Sequence, residues 1–135
     1  MFEHVNWVGV VIAAAFSFIL GALWYGPLFG KRWIVLIGKR VEDLGSASPS
    51  AMSLVISAAT ALVSATGVNV LVGAFAKDLV TTAVVGFLVW AVAVLPVKLN
   101  DVSYAGRPVG LLYVDGAYHL VSLVGMAIIT GAMRV

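Results

Sequence analysis

The chain has 135 residues, 62% hydrophobic and 10% charged, with mean hydropathy +1.10 and a formal charge of +2. A soluble domain carries about 25% charged residues and a short chain keeps much of its surface exposed, so this composition excludes a water-soluble fold. The basic residues are scattered among apolar runs, which excludes a nucleic-acid surface, and the absence of cysteine excludes disulfide and thiol chemistry.

A spanning helix needs about 20 apolar residues, so four spans use most of the chain and leave one membrane domain with short loops. Glu3, with no Lys or Arg before the first apolar run, is the wrong start for a cleaved signal, and that run is read as a retained span. Span one is predicted over residues 5–25, with Asn6-Trp7 and Trp24-Tyr25 at its two ends, where aromatics favour the headgroup level. Gly9, Ala13, Ser17 and Gly21 fall every fourth residue on one face, where backbones approach closely. Pro27, which lacks an N–H and restricts the residue before it, is expected to end this helix.

Residues 28–44 carry Lys31, Arg32, Lys39, Glu42 and Asp43 on one arc of a helical wheel and Phe29, Trp33, Ile34, Leu36, Ile37, Val41 and Leu44 on the other. This pattern predicts a short amphipathic helix on the cytoplasmic membrane surface, with residues 45–50 as a turn. Span two is predicted over 51–75, with the stripe Ser53, Ser57, Ala61, Ala65, Asn69 and Gly73. A very short link then leads to span three over 79–97, closed by Pro96, and residues 98–108 are expected to form a polar loop. Span four is predicted over 109–132. The fold class is therefore all-α, a four-helix transmembrane bundle with one interfacial helix.

Six Lys and Arg (Lys31, Arg32, Lys39, Arg40, Lys98 and Arg107) fall in loops one and three, against Lys77 and Arg134 on the other side. The positive-inside rule puts loops one and three in the cytoplasm and both termini outside.

Asp115 and His119 are four residues apart on span four and share a face, which Ser122 and Met126 continue and Tyr118 flanks. An ionisable residue inside a span is by default a functional-site hypothesis, commonly a proton or ion relay. The competing reading makes Asp115 an anchor near the headgroups for His119, Trp24, Tyr25 or loop backbone. Asn69, the one amide in span two, is a second candidate for the relay or for a ligand, although amides in spans more often bond across helices as packing glue. Trp24, Tyr25, Lys31, Arg32 and Trp33 read as an interfacial belt or as a grip on a lipid headgroup. No metal or cofactor is expected: zinc takes three or four ligands, and the other histidine, His4, is predicted on the opposite side. No Gly-x-Ser-x-Gly elbow, phosphate loop or dinucleotide fingerprint is present.

Asn6-Trp7, Gly21-Ala-Leu-Trp-Tyr-Gly-Pro-Leu-Phe-Gly-Lys-Arg-Trp33, Gly106-Arg-Pro108 and Asp115-Gly-Ala-Tyr-His-Leu120 resemble a family of small bacterial and archaeal integral membrane proteins catalogued as a domain of unknown function. The resemblance runs over essentially the whole chain and matches least at residues 39–50. It implies a four-span protein of a prokaryotic cell membrane and brings no reaction, substrate or catalytic residue with it.

The leading functional expectation is a structural or accessory protein that docks through its small-residue faces. The alternative is an oligomeric, proton-linked transporter or channel for a small solute or lipid, built on Asp115 and His119. A membrane enzyme ranks third, because no nucleophile and base pair up. The partners expected are membrane lipids, further copies of this chain and a membrane-protein partner.

Overall fold

The computed structural model describes residues 1–40 and 49–134, and every regular element among them is helical. Helix α1 (Trp7–Leu23) runs into one wide π-helical turn (Trp24–Leu28) and then a short α2 (Gly30–Leu36). Helix α3 (Ala51–Phe75) is followed by α4 (Leu79–Val89), a second π turn (Trp90–Val94), α5 (Leu95–Ser103) and α6 (Val109–Ala132). Four helical stretches are long and apolar enough to cross a membrane: Trp7–Leu28, Ala51–Phe75, Leu79–Ser103 and Val109–Ala132. Large apolar side chains lie exposed along all four, from Val8 and Ile12 to Val63, Val92 and Val121. Water does not tolerate so continuous an apolar surface, and lipid does.

The ends of these helices follow from their caps. Asn6 opens α1 by accepting the Gly9 N–H at 3.0 Å, and Ser50 opens α3 by accepting that of Ser53 at 3.1 Å. Asp78 and Thr81 form a reciprocal capping box at α4.

Three expectations are corrected. Pro27 does not end span one by itself: α1 gives out at Leu23, and the chain makes a wide turn in which the Phe29 N–H reaches the Trp24 carbonyl at 2.8 Å. Gly26 leaves helical geometry there (φ −104°, ψ −105°). The interfacial helix stops at Leu36 rather than 44. Gly38 takes a left-handed φ of 85°, and the Gly38 and Lys39 N–H groups bond back to Val35 and Ile34, each at 3.0 Å. That is a Schellman stop, which glycine adopts without a Cβ penalty. The remainder of the predicted interfacial helix and most of the predicted turn, residues 41–48, lie outside the described residues. Third, Pro96 does not end span three at 97, and residues 98–103 are helix, not loop. The π turn, closed by the Leu95 N–H on the Trp90 carbonyl, comes just before the proline, so the helix kinks and continues.

Helix α6 is the centre of the bundle and packs on α4, α1 and α3. Its closest approach is to α4 at Gly86, where a Cβ would stand 2.8 Å from the Leu123 carbonyl oxygen and from Val124 Cα. Backbones meet this closely only where a side chain is missing. The core between the helices is small: Val10, Ala13, Ala65, Val68, Met126 and Ala127 are all buried. The span-one stripe is buried at Gly9, Ala13 and Ser17. The span-two stripe is buried only from Ala61 to Asn69, and the first ten residues of α3 are exposed on every side.

The bundle thus has two unlike ends. At the end where Asn6 meets Met133, the Asn6 amide donates to the Met133 carbonyl at 2.9 Å. There Arg134 donates to the backbone and side-chain oxygens of Asn69 at 2.7 and 2.8 Å. At the other, kinked end, α3 splays from its neighbours.

Candidate functional site

The kinked end is built around Asp115, the seventh residue of α6. The Tyr25 hydroxyl, in the π turn after α1, donates to Asp115 Oδ1 at 2.8 Å. Lys98, two residues past Pro96 on α5, puts Nζ 3.7 Å from Asp115 Oδ2 and 4.0 Å from Asp101 Oδ2. Two indoles hold the same stretch of α6: Trp24 Nε1 donates to the Val114 carbonyl at 3.0 Å and Trp90 Nε1 to that of Gly116 at 2.8 Å. Each tryptophan opens one of the two π turns, so spans one and three grip α6 on either side of the carboxylate.

Deeper along α6, the Tyr118 hydroxyl donates to the Ser17 carbonyl at 3.1 Å, and the Ser17 and Ser122 hydroxyls are 2.7 Å apart. Gly21 makes room for Tyr118: a Cβ there would lie 3.1 Å from its hydroxyl oxygen. The Tyr25 ring packs edge-on to Trp33 and to Tyr118, with both centroid distances 5.3 Å, and Tyr118 continues to the His119 ring at 5.0 Å. Such tilted pairs fix ring positions as well as burying area.

Because α3 splays, a groove of about 1390 Å³ opens in front of this cluster. Its floor is α6, with Asp115, Tyr118, His119 and Ser122. One wall carries Ser17, Gly21 and Tyr25 and another Val89, Ala93 and Lys98. The splayed half of α3 supplies Ser53, Leu54, Ser57, Thr60 and Ser64. Ser57 and Thr60 return their hydroxyls to carbonyls of their own helix, which lets them face a largely apolar space at low cost. A smaller cavity of about 230 Å³ lies beside it, between α2, α5 and the start of α6, and shares Trp33, Lys98 and Asp115 with the groove.

The residues singled out from the sequence fall in three places. Asp115, Tyr118, His119, Tyr25 and Trp33 line the groove, and Trp24 braces α6 beside it. Lys31 and Arg32 are exposed on α2 and line neither cavity. Asn69 sits at the opposite end, fully buried, with Arg134 on its oxygen and, among the described residues, no partner on Nδ2. Sequence reasoning missed Lys98 as a member of the site, because Pro96 placed it in a loop. No motif pointed to it: the likeness of Trp24…Pro27…Lys31 to Trp90…Pro96…Lys98 is too weak to make a repeat, and Lys31 lines neither cavity. No cluster of three His, Asp or Glu suited to a metal occurs among the described residues.

With this geometry in hand, comparison with known proteins gives one match. The family model described as protein of unknown function (DUF1761) matches residues 8–131, and the chain belongs to that family. No curated protein and no solved structure matches it.

Proposed function

We propose that this DUF1761 member binds a lipid-like amphiphile in the groove between the splayed half of α3 and the α1, α4 and α6 walls. The polar end of the ligand then sits at Asp115, Lys98, Tyr25 and His119. The observation that carries this reading is the charge gradient of the groove: Lys98, Asp115 and His119 with the Tyr25 hydroxyl at the kinked end, and further along only hydroxyls, such as that of Ser64, among apolar Phe18, Val89, Leu123 and Met126. A membrane surrounds such an opening with amphiphiles at high local concentration. The six Lys and Arg of loops one and three support a cytoplasmic placement of this end in a prokaryotic cell membrane.

The proton-linked channel is the weaker alternative. Between the Asp115 cluster and the Asn69–Arg134 cluster lies the packed core of Val10, Ala13, Ala65, Met126 and Ala127, which favours a site open at one end. The accessory-protein reading is favoured by the Tyr25–Asp115 bond, which braces the fold with or without a ligand.

The test is saturable lipid binding by the purified full chain, read by native mass spectrometry from mixed micelles. Ser57→Trp and Ala93→Trp fill the groove from opposite walls. Loss of the bound lipid in both, with thermal stability retained, is the expected result. Unchanged lipid occupancy in both overturns the proposal and favours the accessory reading.

A further inference from the structure

We infer that the small cavity is the headgroup subsite of this groove and that it selects a zwitterionic phospholipid bearing a primary ammonium and a phosphate. The inference rests on the amphiphile reading above and adds the chemistry of the head. The cavity is about 230 Å³, below the usual range of roughly 300–1000 Å³ for a whole drug-sized ligand, so it holds a head and not a whole lipid. It sits where α5 ends and α6 begins, at the ends of spans three and four, and Trp33, Lys98 and Asp115 join it to the larger groove.

Its charges decide the class. Lys98, Arg107, Asp101 and Asp115 all line it, two cations and two carboxylates. Lys98 is shared between the two carboxylates at 3.7 and 4.0 Å. The Arg107 guanidinium has no carboxylate partner among the described residues, while the Arg107 N–H bonds to the Asp101 carbonyl at 3.1 Å and fixes the loop against α5. A purely anionic head would lose water beside two carboxylates, and a purely cationic one beside Lys98 and Arg107, each at a desolvation cost with incomplete return. A zwitterion gives its phosphate to Arg107 and Lys98 and its ammonium to Asp101 and Asp115, so both charges meet opposites. Trp33 adds an aromatic wall suited to an ammonium.

The experiment loads the purified full chain with phosphatidylethanolamine, phosphatidylglycerol or phosphatidylcholine in mixed micelles and compares occupancies by native mass spectrometry. The expected result is a preference of about tenfold for phosphatidylethanolamine over phosphatidylglycerol, the worth of one additional charge-assisted contact. Phosphatidylcholine, whose quaternary nitrogen cannot donate a hydrogen bond, is expected between them. Asp101→Asn leaves the cavity with one excess positive charge and shifts the preference toward phosphatidylglycerol. Arg107→Gln weakens both, phosphatidylglycerol more. Equal or reversed binding of the three lipids by the unaltered chain overturns this inference and leaves the groove reading standing. Saturable binding of none of them overturns the groove reading as well. Soluble phosphoethanolamine should compete weakly with the bound lipid; competition as strong as by the lipid itself would identify a free zwitterion, not a membrane lipid, as the ligand and overturn the inference.

Discussion

The bond between Tyr25 and Asp115 is the most testable feature of the kinked end. A hydroxyl donating to a carboxylate at 2.8 Å, with the Asp115 side chain 17% exposed, falls among hydrogen bonds to charged groups, which contribute about 1.5–3 kcal/mol. Tyr25→Phe removes the hydroxyl and keeps the ring against Trp33 and Tyr118 at 5.3 Å each. Asp115→Ala removes the acceptor and also leaves Lys98 with only Asp101 at 4.0 Å, so its total cost exceeds that of the hydroxyl alone. A double-mutant cycle subtracts that excess. The coupling energy is expected at about 2 kcal/mol, roughly thirtyfold in the unfolding constant. The assay is reversible unfolding in mixed micelles, followed by tryptophan fluorescence and helical circular dichroism. Tyr104→Phe is the control, because Tyr104 is 89% exposed and should give no change. A coupling below about 0.5 kcal/mol, within ordinary additivity, would refute the claim that this bond holds the π turn on α6.

Gly86→Ala should cost about 1–3 kcal/mol by overpacking the α4–α6 contact, because its Cβ would sit 2.8 Å from backbone atoms. Gly67→Ala, inside α3 with nothing within 4 Å of the new Cβ, should gain about 0.5–1 kcal/mol from helix propensity, and equal behaviour of the two would remove the case for a close contact. Asn69→Leu strips Arg134 of a buried side-chain acceptor and should cost about 1–3 kcal/mol in the same assay. Hydrogen bonds from the Thr81 N–H and hydroxyl hold the Asp78 carboxyl below its ordinary value of 3.8. Its stabilisation is therefore complete above that value and disappears as pH falls through the depressed one. An acid titration of hydrogen exchange at the start of α4 should show that loss, and Asp78→Ala should abolish it.

The spans were legible because lipid imposes a simple rule: about 20 apolar residues in a row. Spacing placed Asp115, Tyr118 and His119 on a common stretch of α6, and the span-one stripe marked the surface that α1 buries. The grouping of Asn69 with Asp115 was a failure of counting, not of information. Helices α3 and α6 start at the same end of the bundle; Asn69 lies about 27 Å along one and Asp115 about 9 Å along the other. Polar character alone drew them together. Lys98 was hidden by the usual rule that proline ends a helix, which fails when a π turn has already absorbed the missing bond. The groove had no sequence signal at all. It exists because α3 packs only through Ala61, Ala65, Val68, Asn69 and Val72, and how far a helix splays is settled by its neighbours.

The π turn at Trp90–Val94 is what brings Lys98 to the polar end. An extra residue in one turn rotates everything after it by about 100° relative to an unbroken helix. Without the wide turn at Trp90–Val94, Lys98 would therefore face about a quarter-turn away from Asp115. On the other side the turn at Trp24–Leu28 leaves helical geometry at Gly26, after Tyr25, so it redirects α2 and brings the Trp33 ring back onto Tyr25. Deleting Val92, which is 71% exposed and makes no core contact, removes the extra residue and restores the helical phase ahead of Pro96. The chain has no cysteine, so Lys98→Cys with Asp115→Cys supplies a pair free of background, and a short bis-maleimide, which adds one thiol across each of its double bonds, should join them in the otherwise unaltered chain. After the deletion the crosslink should be lost while the four spans remain helical by circular dichroism. Crosslinking that persists at the parent rate would show that positions 98 and 115 stay in register without the π turn, and that the turn is incidental.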